Sequence, residues 1–231
     1  MKRILIIPAR GNSKRIKNKN IKLFLKKPII KYTLEAAKKS KLFDIIHVST
    51  DSDKIKKIVE KDNIKIDFMR PKNLSGDHVP LIDVFKHVVL KYQKKGFNFD
   101  EIWSLMPCSP LISYKDLKKI SKFINKIKFV RPILSVSKYQ VPIQWGYKIK
   151  KNNILKPISK KYLTYRSQEL PTTFFDSGQF IIYPMSFFKK QKINENFMGY
   201  VLPQEQSIDI DNIDDWKLAE ITYRGIYKSL K

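Results

Sequence analysis

A strongly basic segment follows the first apolar run of the sequence. Residues 8–20 carry five cations in 13 positions, directly after the apolar residues of 3–7. If that run forms a strand, the loop at its carboxyl end presents backbone N–H groups to an anion. Arg10, Lys14 and Lys19 add the positive charge that a polyphosphate requires. The segment therefore predicts a phosphate-binding loop, with a solvated basic loop as the alternative.

Two residues inside this loop suit close contact between its backbone and a ligand. Gly11 permits close approach and a positive φ, and Asn12 is among the residues that best tolerate left-handed backbone. The loop is not a Walker motif, because no Gly-Lys-Ser/Thr sequence closes it. We expect both residues to belong to the anion site.

Two acids near the carboxyl end have the spacing of a metal site. Asp209 and Asp211 lie at positions i and i+2, so in an extended segment their side chains project to the same face. Two hard carboxylates suit Mg²⁺, which usually keeps several waters. The alternative is that Asp211 caps the final helix with Asp214 three residues later, which leaves only Asp209 for the metal.

The elements that must position these residues alternate along the first half of the chain. Apolar runs predict strands at 3–7, 45–49, 64–69, 101–106 and 129–137. Helical patterns lie between them at 29–37, 52–61, 80–95 and 114–126, the last one behind a possible Ser113 cap. A further strand at 174–183 and a closing helix at 212–230, ending near Leu230, complete the prediction.

This alternation predicts a single doubly wound α/β domain over residues 1–231, with a mainly parallel but mixed sheet. Ligands bind such sheets at the carboxyl ends of the strands, where the basic loop lies. The alternation breaks after residue 137, where Asn152 and Asn153 form a plausible hairpin turn. We interpret residues 138–172 as an antiparallel excursion from the sheet.

Composition limits the possible classes of protein. With 231 residues, 42% of them hydrophobic, the chain can bury a sizeable core, which excludes intrinsic disorder. The apolar runs are too short for a membrane span, so no membrane partner is expected. The single cysteine, Cys108, excludes an intramolecular disulfide, and the cytoplasm is the expected compartment.

The charge of the chain invites a nucleic-acid interpretation. The formal net charge is +26, from 47 basic and 21 acidic residues. Only seven of the basic residues are arginines, and the lysines are spread along the chain, whereas duplex-reading proteins cluster cations and favour arginine. We therefore expect no nucleic-acid partner, and keep a nucleic-acid-binding protein as the alternative from another class.

Several segments of the sequence resemble the CMP-sialic acid synthetase family of cytidylyltransferases. The first of them is Ile6-Ile-Pro-Ala-Arg-Gly-Asn-Ser-Lys-Arg-Ile16, joined by 19–21. The others follow in family order over nearly the whole chain, at 42–52, 68–71, 107–110, 165–171, 176–180 and 208–211. Within the family, the segments 142–144, 166–168, 178–180 and 214–220 are most similar to the pseudaminic acid cytidylyltransferases.

The resemblance implies a Rossmann-like nucleotidyltransferase fold and a Mg²⁺-dependent reaction. CMP would pass from CTP to the anomeric hydroxyl of a nonulosonic acid, with release of pyrophosphate, for surface glycan synthesis. By family analogy Arg10, Ser13, Lys14 and Lys19 hold the triphosphate, and Asn20 contacts the ribose region. Charge develops on the phosphoryl oxygens and on the leaving group, so the site needs these cations and a divalent metal.

Recognition of the cytosine base is expected from Arg70 and Asp77. A guanidinium can donate to O2 or N3 of cytosine, and a carboxylate can accept from its 4-amino group. A surface arginine shaped by Pro71 is the alternative. Asp51 is interpreted as a helix cap.

The acidic sugar is expected to contact Arg166 and Gln168, with Gln144 and Gln179 as further candidates. A planar cation pairs well with a carboxylate, and an amide can bind hydroxyls. In the family, the region that corresponds to 138–172 mediates dimerisation and can reach the neighbouring subunit's site. The resemblance thus implies a homodimer in which Arg166 can act across the interface.

Met106 departs from the pattern of the family's sialate enzymes, which often carry a sugar-contacting glutamine at that position. This departure favours a more deoxygenated acceptor, such as pseudaminic or legionaminic acid, over N-acetylneuraminic acid. A cytidylyltransferase for ketodeoxyoctonic acid is a further alternative.

Overall fold

A computed structural model describes residues 1–188 and 196–228. The strands are β1 (Arg3–Pro8), β2 (Leu23–Phe24), β3 (Lys27–Pro28), β4 (Ile45–Ser49), β5 (Glu101–Leu105), β6 (Ile133–Lys138), β7 (Tyr147–Ile149), β8 (Leu155–Pro157), β9 (Phe174–Pro184) and β10 (Met198–Val201). The α-helices are α1 (Ile30–Ser40), α2 (Asp53–Glu60), α3 (Leu81–Gln93), α4 (Tyr114–Lys126), α5 (Met185–Phe188) and α6 (Ile213–Lys228). Leu230, at the end of the predicted closing helix, lies outside the described residues. None of the described helices is long and apolar enough to cross a membrane.

Six of these strands form the central sheet, in the order β10-β6-β9-β5-β1-β4. β1 is parallel to β4 and β5, and β10 is parallel to β6. β9 is antiparallel to both of its neighbours, β5 and β6. The other five strands therefore share one direction, and their carboxyl ends meet at one edge. The predicted mixed, mainly parallel α/β sheet is confirmed.

Helices cover both faces of the sheet at β1, whose residues are buried on both sides. Leu5 and Ile7 pack in one buried cluster with Leu34 of α1. Ile4, from the opposite face of the strand, packs in a second cluster with Phe85 of α3. A continuous apolar run is the sequence signature of such a doubly covered strand.

A third buried cluster joins the two ends of the chain. Phe24 makes edge-to-face contacts with Tyr32 of α1 and Trp216 of α6, at centroid distances of 5.2 and 5.6 Å. Ile16 of the basic loop and Ile210 belong to the same cluster. This packing holds the segment before α6 against the loop after β1.

Local signals at helix and turn boundaries are confirmed. Ser113 forms a capping box with Asp116 at the start of α4. Asn152 and Asn153 have φ of 60° and 58° between β7 and β8, as a hairpin turn with two left-handed residues requires.

The predicted strand at 64–69 is wrong. Ile64 and Ile66 are buried in the core, which explains their alternation with polar residues. The segment has no ladder partner among the described residues. Directly after it, the Arg70 N–H donates to the Thr50 carbonyl beyond the end of β4, at 2.7 Å. The alternation of apolar and polar residues in this segment therefore reflects burial of one face of the segment, and it does not indicate pairing within a sheet.

Candidate active site

The basic loop after β1 is anchored at the carboxyl edge of the sheet. The Gly11 N–H donates to Asp51 Oδ1 at 2.7 Å, and Asn20 Nδ2 donates to the Arg10 carbonyl at 2.9 Å. A Cβ at Gly11 would lie 2.8 Å from Ser52 Cβ, so the absence of a side chain lets the loop pack closely against Ser52. The predicted close approach of Gly11 to a ligand stays a prediction. The left-handed residue of the loop is Asn18, with φ of 54°, and not Gly11 or Asn12.

The interpretation of Asp51 as a helix cap is wrong. Ser52 occupies the N-cap position of α2, and its side chain makes no capping hydrogen bond. The Asp51 carboxylate instead accepts the Gly11 N–H, because the loop crosses the end of β4 at this point. Asp51 therefore positions the basic loop.

A pocket of about 370 Å³ lies between this loop and residues from the far end of the chain. Among the predicted site residues, it gathers Arg10, Ser13, Lys14, Lys19, Asn20 and Asp209. The rest of its lining is Pro8, Arg15, Ile16, Leu81, Met106, Pro107, Cys108, Asp176 and Gly178. The pocket thus places cations of the loop opposite carboxylates of β9 and of the segment before α6.

A larger cavity of about 750 Å³ lies at the opposite edge of the sheet, and its lining contains no Lys or Arg among the described residues. Its carboxylates are already satisfied. Glu101 accepts from Arg3 Nε at 2.8 Å and from Trp103 Nε1 at 2.7 Å, and Asp100 accepts the Lys2 N–H. This cavity lacks the charge that phosphate chemistry needs.

Asp209 is held in place by three contacts of its own segment. Lys19 Nζ donates to the Ile210 carbonyl at 2.7 Å, and Gln179 Nε2 donates to the Ile208 carbonyl at 3.1 Å. Gly178, with φ of +65°, lies under the carboxylate, and a Cβ there would approach Asp209 Oδ2 to 2.9 Å. A glycine is therefore required on both steric and conformational grounds.

The carboxyl of Asp209 sits among other acids. Desolvation by the surrounding protein raises its pKa, and Asp211 raises it further, against the opposing charges of Lys19 and Arg15. Asp176 adds a smaller repulsion. Such mutual repulsion is relieved when a cation binds between carboxylates.

Asp211 faces the basic loop and does not cap the final helix. Its Oδ2 accepts from Arg15 Nη1 at 2.6 Å, and Lys19 Nζ lies 3.4 Å from its Oδ1. The cap of α6 is Asn212, whose Oδ1 accepts the N–H groups of the two following acids, at 214 and 215. The alternative function considered for Asp211 is therefore excluded.

These residues fit a magnesium ion. The described residues contain no preformed group of three or more His, Cys, Asp or Glu ligands. Asp209 instead presents an accessible carboxylate to the pocket, whereas Asp211 lies outside the pocket lining and is paired with Arg15 and Lys19. One carboxylate is sufficient for a nucleotide-bound Mg²⁺, which takes its other ligands from phosphate oxygens and waters. A metal role for Asp209 and Asp211 stays a prediction.

Two charged residues that line this pocket, Arg15 and Asp176, were not among the predicted site residues. Asp176 faces the pocket because β9 has a register shift against β6, and Ser135 Oγ accepts the N–H groups of both Gln179 and Phe180 there. Bulges of this kind redirect side chains next to active sites. The only sequence signals were the charge of Arg15 and the glycine at 178.

The two residues predicted to read the base have other partners in this structure. Arg70 is buried, and it donates to Ser49 Oγ at 3.1 Å and to the Ser49 carbonyl at 2.7 Å. Burial lowers its pKa to about 10. Asp77 forms ion pairs with Arg10 and Lys14. Neither residue lines the pocket, and base recognition by them stays a prediction.

The predicted sugar-binding residues lie outside the lining of this pocket. Arg166 and Gln168 are exposed in the excursion, and Gln168 lines a separate cavity of about 340 Å³ near the start of β9. Gln179 is buried, with Nε2 donating to two backbone carbonyls. Gln144 has a buried Oε1 with no partner among the described residues. Their contacts with a sugar stay predictions.

Such a sheet, with a cationic loop after its first strand, is the architecture of nucleotidyltransferases. The fold is similar to CMP:2-keto-3-deoxy-manno-octonic acid synthetase complexed with CTP, with a TM-score of 0.69 at 16% identity, covering 98% of this chain and 100% of that one. It is also similar to a cytidylyltransferase from Leptospira borgpetersenii, with a TM-score of 0.59 at 19% identity, over 95% and 85% of the chains. The sequence matches the family model described as Cytidylyltransferase over residues 4–224, and the chain belongs to this family.

Relatives cover the chain from end to end. It is 34% identical to the pseudaminic acid cytidylyltransferase of Campylobacter jejuni over 99% of both chains. It is 28% identical to the CMP-N,N'-diacetyllegionaminic acid synthase of Legionella pneumophila over 95% of both chains. The predicted resemblance to CMP-nonulosonate synthetases is confirmed, and the protein is a nucleotidyltransferase.

Proposed function

We propose that this cytidylyltransferase transfers CMP from CTP to the anomeric hydroxyl of a nonulosonic acid, with pseudaminic acid as the acceptor. The observation that carries the proposal is the single pocket that holds Lys14 and Lys19 from the start of the chain together with Asp209 from its end. The full-length relatives named pseudaminic acid cytidylyltransferases support the choice of acceptor. A cytoplasmic location and a role in surface glycan synthesis belong to the same proposal.

The reaction makes one bond to phosphorus and breaks another. The acceptor hydroxyl oxygen attacks the α-phosphorus, the bond from this phosphorus to the α,β-bridging oxygen breaks, and pyrophosphate leaves while the hydroxyl proton passes to solvent. Arg10 and Lys14 bind phosphate oxygens, and Lys19 neutralises charge on the acid side of the pocket. Preorganised cations of this kind stabilise the charge that develops in the transition state.

Asp209 and Asp211 are the residues that would hold Mg²⁺. When bound, the ion supplies Lewis acidity toward phosphate oxygens and lowers the pKa of a hydroxyl that it contacts. Lys19 and Gln179 fix the backbone on either side of Asp209 at Ile210 and Ile208, so they orient the carboxylate before any ligand arrives.

The acceptor side of the pocket includes Met106, which follows β5. A methionine offers an apolar, adaptable surface and no hydrogen bond to a hydroxyl group. It therefore favours a deoxygenated nonulosonic acid over N-acetylneuraminic acid. Legionaminic acid shares this property and is the closest competitor.

The proposal is tested by measuring pyrophosphate release from CTP with pseudaminic, legionaminic, N-acetylneuraminic and ketodeoxyoctonic acids. We expect pseudaminic acid to give a kcat/KM roughly tenfold or more above N-acetylneuraminic acid, the scale of a few altered pocket contacts. UTP and GTP in place of CTP serve as base controls and should give little release. Absence of release with all four acids would reject the assignment.

A second copy of the chain is the proposed partner of the excursion. Residues 138–172 expose a series of large apolar side chains, namely Tyr139, Val141, Ile143, Tyr147, Ile149, Ile154, Leu155, Ile158, Leu163 and Tyr165. An apolar surface of this extent is typical of an interface. Arg166 and Gln168 lie in the same segment but outside the pocket of their own chain, which supports their action across a homodimer.

We expect the double substitution of Ile149→Lys and Leu155→Lys to convert the dimer to a monomer. The two residues pair directly across the β7–β8 hairpin and are 72% and 57% exposed, so charges there disrupt an interface without disturbing the core. Light scattering during size-exclusion chromatography measures the mass against the 27.3 kDa of one chain. Ile221→Lys, at a 68% exposed position of α6, is the control and should remain dimeric. A monomeric wild type would contradict the proposal.

A further inference from the structure

The Asp77 carboxylate bridges the two cations that are expected to bind phosphate. Its Oδ1 lies 2.5 Å from Arg10 Nη1, and its Oδ2 lies 2.5 Å from Lys14 Nζ. Arg10 and Lys14 both line the pocket, whereas Asp77 belongs to the loop that enters α3. Each carboxylate oxygen thus contacts a cation that is expected to bind a phosphoryl oxygen.

The exposure of these ion pairs allows another anion to replace the Asp77 carboxylate. The side chains of Asp77, Arg10 and Lys14 are 33%, 34% and 68% exposed, so water can replace each contact at low cost. The hydrogen bonds from Lys14 and Arg10 lower the pKa of Asp77, because they stabilise the charged carboxylate. The loop that carries Asp77 leads directly into Leu81, the first residue of α3 and a pocket residue.

We propose that Asp77 is an internal counter-ion that occupies the phosphate-binding cations until a polyphosphate displaces it. The inference rests on the proposed binding of triphosphate by Arg10 and Lys14. An anion tethered to the same chain competes at a high effective concentration. Inorganic phosphate has few charges with which to compete, whereas a polyphosphate also reaches Lys19 and Arg15. Asp77 therefore makes the site selective for polyphosphates.

The counter-ion role and the predicted base-reading role of Asp77 have opposite consequences. A carboxylate that accepts the 4-amino group of cytosine strengthens CTP binding, so its loss would weaken that binding. A carboxylate that competes with phosphate weakens binding, so its loss strengthens it. Asp77→Asn keeps the shape of the side chain and separates the two roles.

The experiment is calorimetric titration of wild type and Asp77→Asn with pyrophosphate, inorganic phosphate, CTP and UTP. We expect Asp77→Asn to bind pyrophosphate about threefold to tenfold more tightly, with a larger gain for inorganic phosphate. Glu60→Gln, at an exposed site at the end of α2, removes one negative charge elsewhere and should change neither affinity. Pyrophosphate lacks a base and an acceptor, so the readout does not depend on which sugar is used.

A second variant, Lys14→Met, tests whether the ion pair between Asp77 and Lys14 only stabilises the fold. Lys14→Met breaks the same ion pair from its other side, so a structural pair would make both variants behave alike. The counter-ion role requires opposite signs, with Lys14→Met binding pyrophosphate more weakly. Unchanged or weaker pyrophosphate binding by Asp77→Asn overturns the proposal, and so does a failure of every variant to bind it. If pyrophosphate binds as expected but none of the four acceptors reacts, the result contradicts the proposed function and not the counter-ion role of Asp77.

Discussion

We expect Asp209→Asn to lower kcat/KM for pyrophosphate release by at least ~10²-fold, the scale of losing one strong transition-state contact. The substitution keeps the size of the side chain and removes the charge that faces Lys14 and Lys19 across the pocket. The amide is a poor ligand for Mg²⁺, which prefers carboxylate oxygen.

Initial rates over a range of Mg²⁺ concentrations measure this effect, and the Mg²⁺ needed for half-maximal rate should rise. Asp214→Asn is the matched control, because that side chain is 93% exposed and pairs only loosely with Lys217, at 3.6 Å. We expect its rate to stay within about twofold of wild type, as for most surface substitutions. Near-normal turnover by Asp209→Asn would remove this residue from the reaction.

The second large effect is expected for Lys19→Met, with a loss of about 10²-fold in kcat/KM. The Lys19 ammonium donates to the Ile210 carbonyl at 2.7 Å and pairs with Asp211 at 3.4 Å, across more than 190 positions of sequence. Methionine keeps most of the length of the lysine side chain but leaves the Ile210 carbonyl without its donor. Asp209 then loses one of the contacts that orient it, and the folded state loses about 1 kcal/mol.

Lys17→Met is the control that distinguishes the specific contacts of Lys19 from the total positive charge of the basic loop. Lys17 is an exposed cation of the same loop and has no ion pair among the described residues. We expect its kcat/KM to change by less than about threefold, as a remote surface charge would. Equal losses in both variants would show that the loop acts through its total charge and not through the contacts of Lys19.

The alternation of apolar runs and helical segments was sufficient to predict the α/β sheet. The residues next to one another at helix and turn boundaries were sufficient to predict a helix cap and a hairpin turn. Ser113 and the Asn152–Asn153 turn were predicted because capping and left-handed turns depend on a few adjacent residues. The segment 64–69 failed because burial on one face produces the same alternation as a paired strand. Whether such a segment pairs as a strand depends on whether a neighbouring strand has free backbone hydrogen-bonding groups.

The same distinction applies to the site. The basic loop and the acids at 209 and 211 were found from charge and spacing, which are properties of single segments. Asp176 was missed because its direction depends on a register shift between β6 and β9. Asp51 was interpreted differently because its contact with Gly11 joins segments that are distant in sequence. The ion pairs of Asp77 with Arg10 and Lys14 were missed for the same reason.

The sequence by itself determined the class of fold, the basic character of the first loop and the family, because these follow from periodicity, charge and motif order, which are properties of the linear sequence. The tertiary structure decided which charges meet. Lys19 reaches Ile210, and Asp77 reaches Lys14, only because parallel strands collect their carboxyl ends at one edge and α6 packs back on α1. Pairing across such distances follows from packing geometry, which no local stretch of residues specifies.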